Sequence, residues 1–219
     1  MARRTSAEVR RRPMEAVEKN GKRKRSYSEM TVNDLELIYG LSLGMKDLFS
    51  GIKPIPPSER LAEALAEGKP LIFASEKARS EFIVAPILLF VRSLLNKAVT
   101  IYSGFRFDVE PENGLRGVCD FIIGEAPPLP FIQAPLMVVV EAKKNDMEDG
   151  IGQCAAEMMA ARIFNQQRGH ERVVHGCVTT GEKWLFMELE GKTLTLDETR
   201  YDISNVEKIL GILHHVLST

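Results

Sequence analysis

Near the middle of the chain an apolar run, Leu136 to Val140, passes directly into Glu141-Ala142-Lys143. In an extended strand, residues i and i+2 project from one face with Cα atoms roughly 6.6–7 Å apart. Glu141 and Lys143 therefore share a face, and Ala142 points to the other. Twenty-one residues before Glu141, Asp120 interrupts a second apolar stretch, Gly117 to Gly124. If the two stretches are neighbouring strands, their carboxylates converge at one end of a sheet. Burying both unpaired is costly, and a hard divalent cation offsets that cost. Mg²⁺ takes oxygen ligands, keeps several waters and commonly binds one or two carboxylates plus a substrate phosphate. Asp120 and Glu141 are the candidate ligands, and the backbone carbonyl of Ala142 is a third. Lys143 would stand beside the ion, where an ammonium steadies an attacking water and offsets charge on a pentacovalent phosphate. The plainer alternative is a surface ion pair at a strand end.

The elements that must hold these residues can be read from periodicity. Ser75 to Asn96 reads as a long helix, apolar nearly all round from Phe82 onward, with Pro86 kinking it or marking a restart. Ala98 to Val109 and Leu115 to Ile123 alternate as strands around the turn Pro111-Glu112-Asn113-Gly114. Leu136 to Lys143, apolar on both faces, reads as a central strand. A helix follows from about Ile151 to Gln167, with Cys154, Ala155, Met158 and Met159 on one stripe and Gln153 and Glu157 on another face. Val173 to Thr179 is a fourth strand. Trp184 to Leu189 and Thr193 to Leu196 form a hairpin, and a last helix is capped by Ser204 or Asn205.

Upstream, Thr31 to Gly51 reads as one or two short helices, and Ile52 to Pro57 as a Pro-rich connector. Ser58 caps a helix ending near Gly68. The expected class is α/β, a mixed sheet with helices on both faces. Residues 1–30 form a disordered basic tail, 31–74 a helical accessory segment and 75–219 the main domain.

With 219 residues and 44% hydrophobic content, the chain can build one sizeable core. Its net charge of −1 conceals a division: residues 1–25 hold ten Lys/Arg against three Asp/Glu, so the remainder is markedly acidic. Lys22-Arg23-Lys24-Arg25 is a candidate phosphate-binding patch, and Lys144 adds a charge beside the central triplet. A merely solvated tail is the alternative. Cys119, Cys154 and Cys177 match no zinc or disulfide spacing and read as small buried hydrophobes. No apolar run reaches the ~18 residues of a membrane span, and the N-terminus lacks the apolar core of a signal peptide. A cytoplasmic protein is expected.

Taken together, the spacing, strand order and flanking helices resemble the PD-(D/E)XK nuclease superfamily, whose fold is the restriction endonuclease-like αβββαβ core. Its motif is an acidic residue on one strand and Asp/Glu-x-Lys ending the next, here Asp120 and Glu141-Ala142-Lys143. The family often adds a Glu on the helix before the sheet, which Glu81 could supply as a further metal ligand. Many members place a Gln on the helix after it, matching Gln153. Cys119 stands where the family motif has its Pro. The resemblance covers about residues 75–182 and is nearest to the N-terminal nuclease domain of type I restriction subunits and to stand-alone bacterial relatives. Gly176 to Phe186 is similar to the late strand, Gly turn and Trp-x-Phe strand of such relatives. It implies Mg²⁺-dependent hydrolysis of phosphodiester bonds, with Mn²⁺ able to substitute and DNA as the expected substrate.

Two other functions remain open. A fold of this kind that no longer cuts could serve as an interaction module, with Leu129-Pro130-Phe131-Ile132 as a dimer or partner surface. Alternatively the basic tail binds nucleic acid and the body is a scaffold. A homodimer or a separate targeting subunit would supply specificity.

Overall fold

The computed structural model describes residues 25–143 and 147–218. Lys22, Arg23, Lys24 and Lys144 lie outside the described residues. The strands are β1 (Ser42–Lys46), β2 (Thr100–Arg106), β3 (Val118–Gly124), β4 (Leu136–Ala142), β5 (Val174–Thr179), β6 (Lys183–Glu190) and β7 (Thr193–Asp202). They form one sheet in the order β1-β7-β6-β5-β4-β3-β2. β4 and β5 run parallel, as do β1 and β7, and the other neighbours are antiparallel. The architecture is therefore α/β with a seven-stranded mixed sheet.

β4 lies in the middle of this sheet and every one of its residues is buried. That is the reason its sequence is apolar on both faces instead of alternating. On one face lies α5 (Glu148–Gln166), with α1 (Val32–Tyr39) beyond it; Ile122, Val139 and Met158 belong to this half of the core. On the other lie α2 (Glu59–Gly68), α4 (Ala85–Leu94) and α6 (Val206–Val216), with Val138, Val140 and Trp184 between them and the strands. The helix around Pro86 is divided into α3 (Glu76–Arg79), a five-residue π turn (Ser80–Val84) and α4. Proline offers no N–H to the carbonyl four residues back. The backbone N–H of Ala85 instead reaches Ser80, the five-residue spacing of a π turn, so the axis continues through the proline.

Two expected boundaries are corrected. The tail does not extend to residue 30. Tyr27 and Met30 are buried, and the Tyr27 hydroxyl donates to the Phe107 carbonyl at 2.8 Å. One aromatic and one methionine in a basic stretch carry no periodicity, so their docking could not be read locally. Segment 31–74 is not purely helical either: β1 extends the sheet through parallel pairing with β7. Its five residues are mostly exposed, so they bear no alternation of burial, and only the neighbouring edge makes them a strand. Among the described residues, no helix is long and apolar enough to cross a membrane.

Candidate active site

β3 and β4 pair with Phe121 opposite Val140, and the same register continued by one residue places Asp120 beside Glu141. The neighbourhood expected from spacing is present. Asp120 Oδ2 accepts from the Ala142 backbone N–H at 2.9 Å, which ties the carboxylate to the end of β4. Glu141 Oε1 lies 2.9 Å from Lys143 Nζ. Lys143 Nζ also donates to Gln153 Oε1 at 2.8 Å, so α5 closes over the triplet. Asp120, Glu141, Ala142, Lys143 and Gln153 are thus brought together from two strands and one helix.

Two backbone features permit this closeness. Lys143 leaves the sheet with its N–H bonded to the Thr179 carbonyl at 2.7 Å, aligning the ends of β4 and β5. Gly150, in the first turn of α5, lies directly against Lys143 and Val178. A Cβ there would come 2.9 Å from Lys143 Cγ and 2.6 Å from Val178 Cγ1, so a side chain would hold the helix off the strand.

Electrostatically the site stores unfavourable negative charge. Burial pushes the Glu141 carboxyl up to about 7, and the charge of Asp120 adds to it. Asp120 is raised by burial too, partly offset by the Ala142 N–H and by Lys143. Burial pulls Lys143 down, but the charge and hydrogen bond of Glu141 outweigh it and leave the ammonium above its ordinary value. Glu141 Oε2 is buried and has no hydrogen-bond partner among the described residues.

Two helix carboxylates border the site, Glu81, which the sequence singled out, and Glu76. Glu81 lines a cavity of about 350 Å³ together with Asp120, Ser103 and Glu76. Its side chain is half exposed, with Lys77 at 3.7 Å. It is Glu76 whose charge raises Asp120, Glu141 and Lys143. Glu76 occupies the first position of α3, where acidic residues are favoured by the helix dipole anyway. Nothing in the sequence distinguished it from an ordinary helix start.

Glu157 is the other residue that local reasoning passed over. It is fully buried one turn beyond Gln153, and Gln153 Nε2 donates to its Oε1 at 3.1 Å. Burial, with the charge of Glu141, pushes it well above the ordinary carboxylate range. The signal was the i, i+4 spacing from Gln153 within a stretch, Cys154 to Ala161, whose other residues are Ala, Met and Cys.

Other candidates lie elsewhere. Arg25 is paired with Asp34 through its guanidinium. His175 is three residues back along β5, near Glu188 at 3.6 Å. Burial, followed by His215 and Arg172, pulls it down to about 4, so it is neutral. Trp184 and Phe186 are core residues, and all three cysteines are free and buried.

The chain matches no protein-family model, and no curated protein matches it. Among the described residues no group of three or more His, Cys, Asp or Glu side chains is arranged to hold a metal ion. Two carboxylates do converge, however, and their oxygens, one of them without a partner among the described residues, suit a hard cation that completes its shell with water and phosphate.

Proposed function

We propose that this protein is a metal-dependent nuclease with a restriction endonuclease-like core, hydrolysing phosphodiester bonds in DNA. The observation that carries the reading is the buried Glu141 oxygen beside Asp120, without a hydrogen-bond partner among the described residues, with the Lys143 ammonium 2.9 Å from the same carboxylate. Element order supports it: helix, three strands, helix, strand from α4 to β5, with the acidic residues on β3 and β4.

Asp120 and Glu141 would hold Mg²⁺ or Mn²⁺, with the Ala142 carbonyl as a further oxygen and Glu81 or Glu76 reaching it through water. When bound, the ion supplies Lewis-acid polarisation of the phosphate and a more acidic water. Lys143 offsets negative charge that develops on phosphorus-bound oxygens. Its exchange of Glu141 for phosphate is the step that couples substrate entry to catalysis. Gln153 keeps the ammonium at the strand end. A water oxygen bonds to phosphorus as the bond to the leaving sugar oxygen breaks, and the products are one phosphate end and one hydroxyl end.

Lys143→Ala is expected to lower plasmid cleavage in Mg²⁺ or Mn²⁺ by about 10²–10³. Undiminished cleavage would remove the role assigned to Lys143. Calorimetric titration of Mn²⁺ into wild type and Asp120→Ala gives the second test, with binding expected only in the former.

A non-cutting interaction module is favoured by one observation: Lys143 is already engaged by both Glu141 and Gln153. Absence of carboxylate-dependent metal binding in that titration would select this reading.

A further inference from the structure

Lys143 is held from two sides, and the second side poses a stereochemical problem. The two ends of a glutamine amide are nearly the same size, but only the oxygen can accept from an ammonium. Rotating the Gln153 amide by half a turn would set its NH₂ against Lys143 Nζ, donor against donor. Lys143 offers no acceptor, so it cannot tolerate the rotated form, but neither can it prevent the amide from turning away altogether. Something beyond Lys143 must fix the other end.

Glu157 occupies that place. It follows Gln153 by four residues on α5, so both side chains lie on one helix face. Gln153 is nearly buried and Glu157 wholly so. The distances run 2.8 Å from Lys143 Nζ to Gln153 Oε1 and 3.1 Å from Gln153 Nε2 to Glu157 Oε1. A buried polar residue in a core of Ala, Met and Cys needs a reason, since an apolar side chain would fill the space at lower cost. Its other oxygen, Oε2, has no partner among the described residues, so the carboxyl is not retained because every atom is satisfied.

We infer that Glu157 is a positioning residue, accepting the Gln153 amide N–H and thereby turning the Gln153 carbonyl onto the Lys143 ammonium. Burial raises its carboxyl well above the ordinary carboxylate range, and the geometry of the pair places its oxygen on the amide nitrogen. What is required of it is an acceptor at that point, and a glutamine supplies one as well. The catalytic consequence rests on the proposed role of Lys143, whereas the orientation of the amide does not.

The test uses the full chain in four variants: Glu157→Leu, Glu157→Gln, Gln153→Leu and the double variant carrying both leucines. The first readout is the set of nuclear Overhauser effects from the Gln153 side-chain amide protons, assigned by their disappearance in Gln153→Leu. In wild type they should point to residue 157 and not to the Lys143 ε-methylene. Glu157→Gln should keep that pattern. Glu157→Leu should abolish it, with faster solvent exchange of the amide protons. The second readout is plasmid cleavage. Glu157→Leu is expected to lower kcat about tenfold at unchanged KM, Glu157→Gln to stay within about twofold, and Glu157→Leu to add nothing in a Gln153→Leu background. An unchanged amide pattern in Glu157→Leu overturns the inference. So does a Glu157→Gln variant that abolishes the pattern as completely, which decides the matter even if the leucine variant fails to fold. If the amide behaves as expected and no form of the protein cleaves DNA, the positioning stands and the nuclease reading fails.

Discussion

Glu141 joins the proposed chemistry to the stability of the fold. Its ordinary value of 4.5 is pushed up to about 7 in the folded chain by burial and by Asp120. Between those values the folded state keeps a proton that the unfolded state has released, so stability falls as pH rises. In metal-free protein this one group should account for a loss on the order of 3 kcal/mol between about pH 4.5 and 7. His175 works in the opposite sense. Its folded value of about 4 lies below the ordinary 6.5, so its contribution is lost as pH falls through that interval. The two trends overlap and oppose each other in wild type, and urea unfolding with chelator at pH 5 to 8 separates them: Glu141→Gln should leave stability rising with pH up to about 6.5. A variant profile of the same shape as wild type would mean that Glu141 titrates normally.

The element that sets the site is α5, and it is fixed at both ends. Near its C-terminus Asn165 brackets Leu136, the first residue of β4, accepting from its N–H at 2.7 Å and donating to its carbonyl at 2.8 Å. Twelve residues earlier, about 18 Å along the helix, Gln153 meets Lys143 at the other end of the same strand. The clamp therefore fixes the alignment of helix and strand. Asn165→Ala would orphan two buried backbone groups and should cost about 3 kcal/mol in urea unfolding. The outer side of α5 is pressed by the segment before α1. A Cβ at Gly152 would sit 2.6 Å from the Met30 carbonyl oxygen, a backbone atom that cannot swing aside. Gly152→Ala should cost about 1–3 kcal/mol by the same measurement, and a neutral substitution would show that residues 25–30 do not hold their place.

Taken as one electrostatic object, the chain is divided. The basic charge concentrates in residues 1–25 and the rest is acidic, an arrangement that repels a polyanion except where cations are locally placed. Arg25 spends its charge on Asp34, leaving Lys22, Arg23 and Lys24 as the tail's run for phosphate. Replacing those three with Ala should reduce the slope of log affinity against log salt by about 0.9 for each phosphate they neutralise. An unchanged slope would assign nucleic-acid binding to the body. The edge strand β1 carries exposed Leu43 and Met45, and α1 carries Leu37 and Ile38, which add to the apolar surface beyond the Phe131 loop.

What the amino-acid order determined by itself was local. The apolar run of β4, the Ser58 cap and the helix with Gln153 were all legible, because each rests on neighbours within a turn or on a continuous apolar run. The Asp120–Glu141–Lys143–Gln153 grouping followed from spacing and resemblance, although the irregular loop from 125 to 135 left the register open until Phe121 met Val140. Burial and long-range pairing were decided only by the assembled fold. β1 is a strand because β7 offers it an edge, and Tyr27 is core because Phe107 accepts its hydroxyl. Glu76 joins Glu81 beside Asp120 because the folded helix lays both residues along one cavity with that strand. The Glu157 carboxyl is pushed upward by the closure of the elements around it. A carboxylate's protonation depends on what excludes water from it, and no stretch of sequence contains that information.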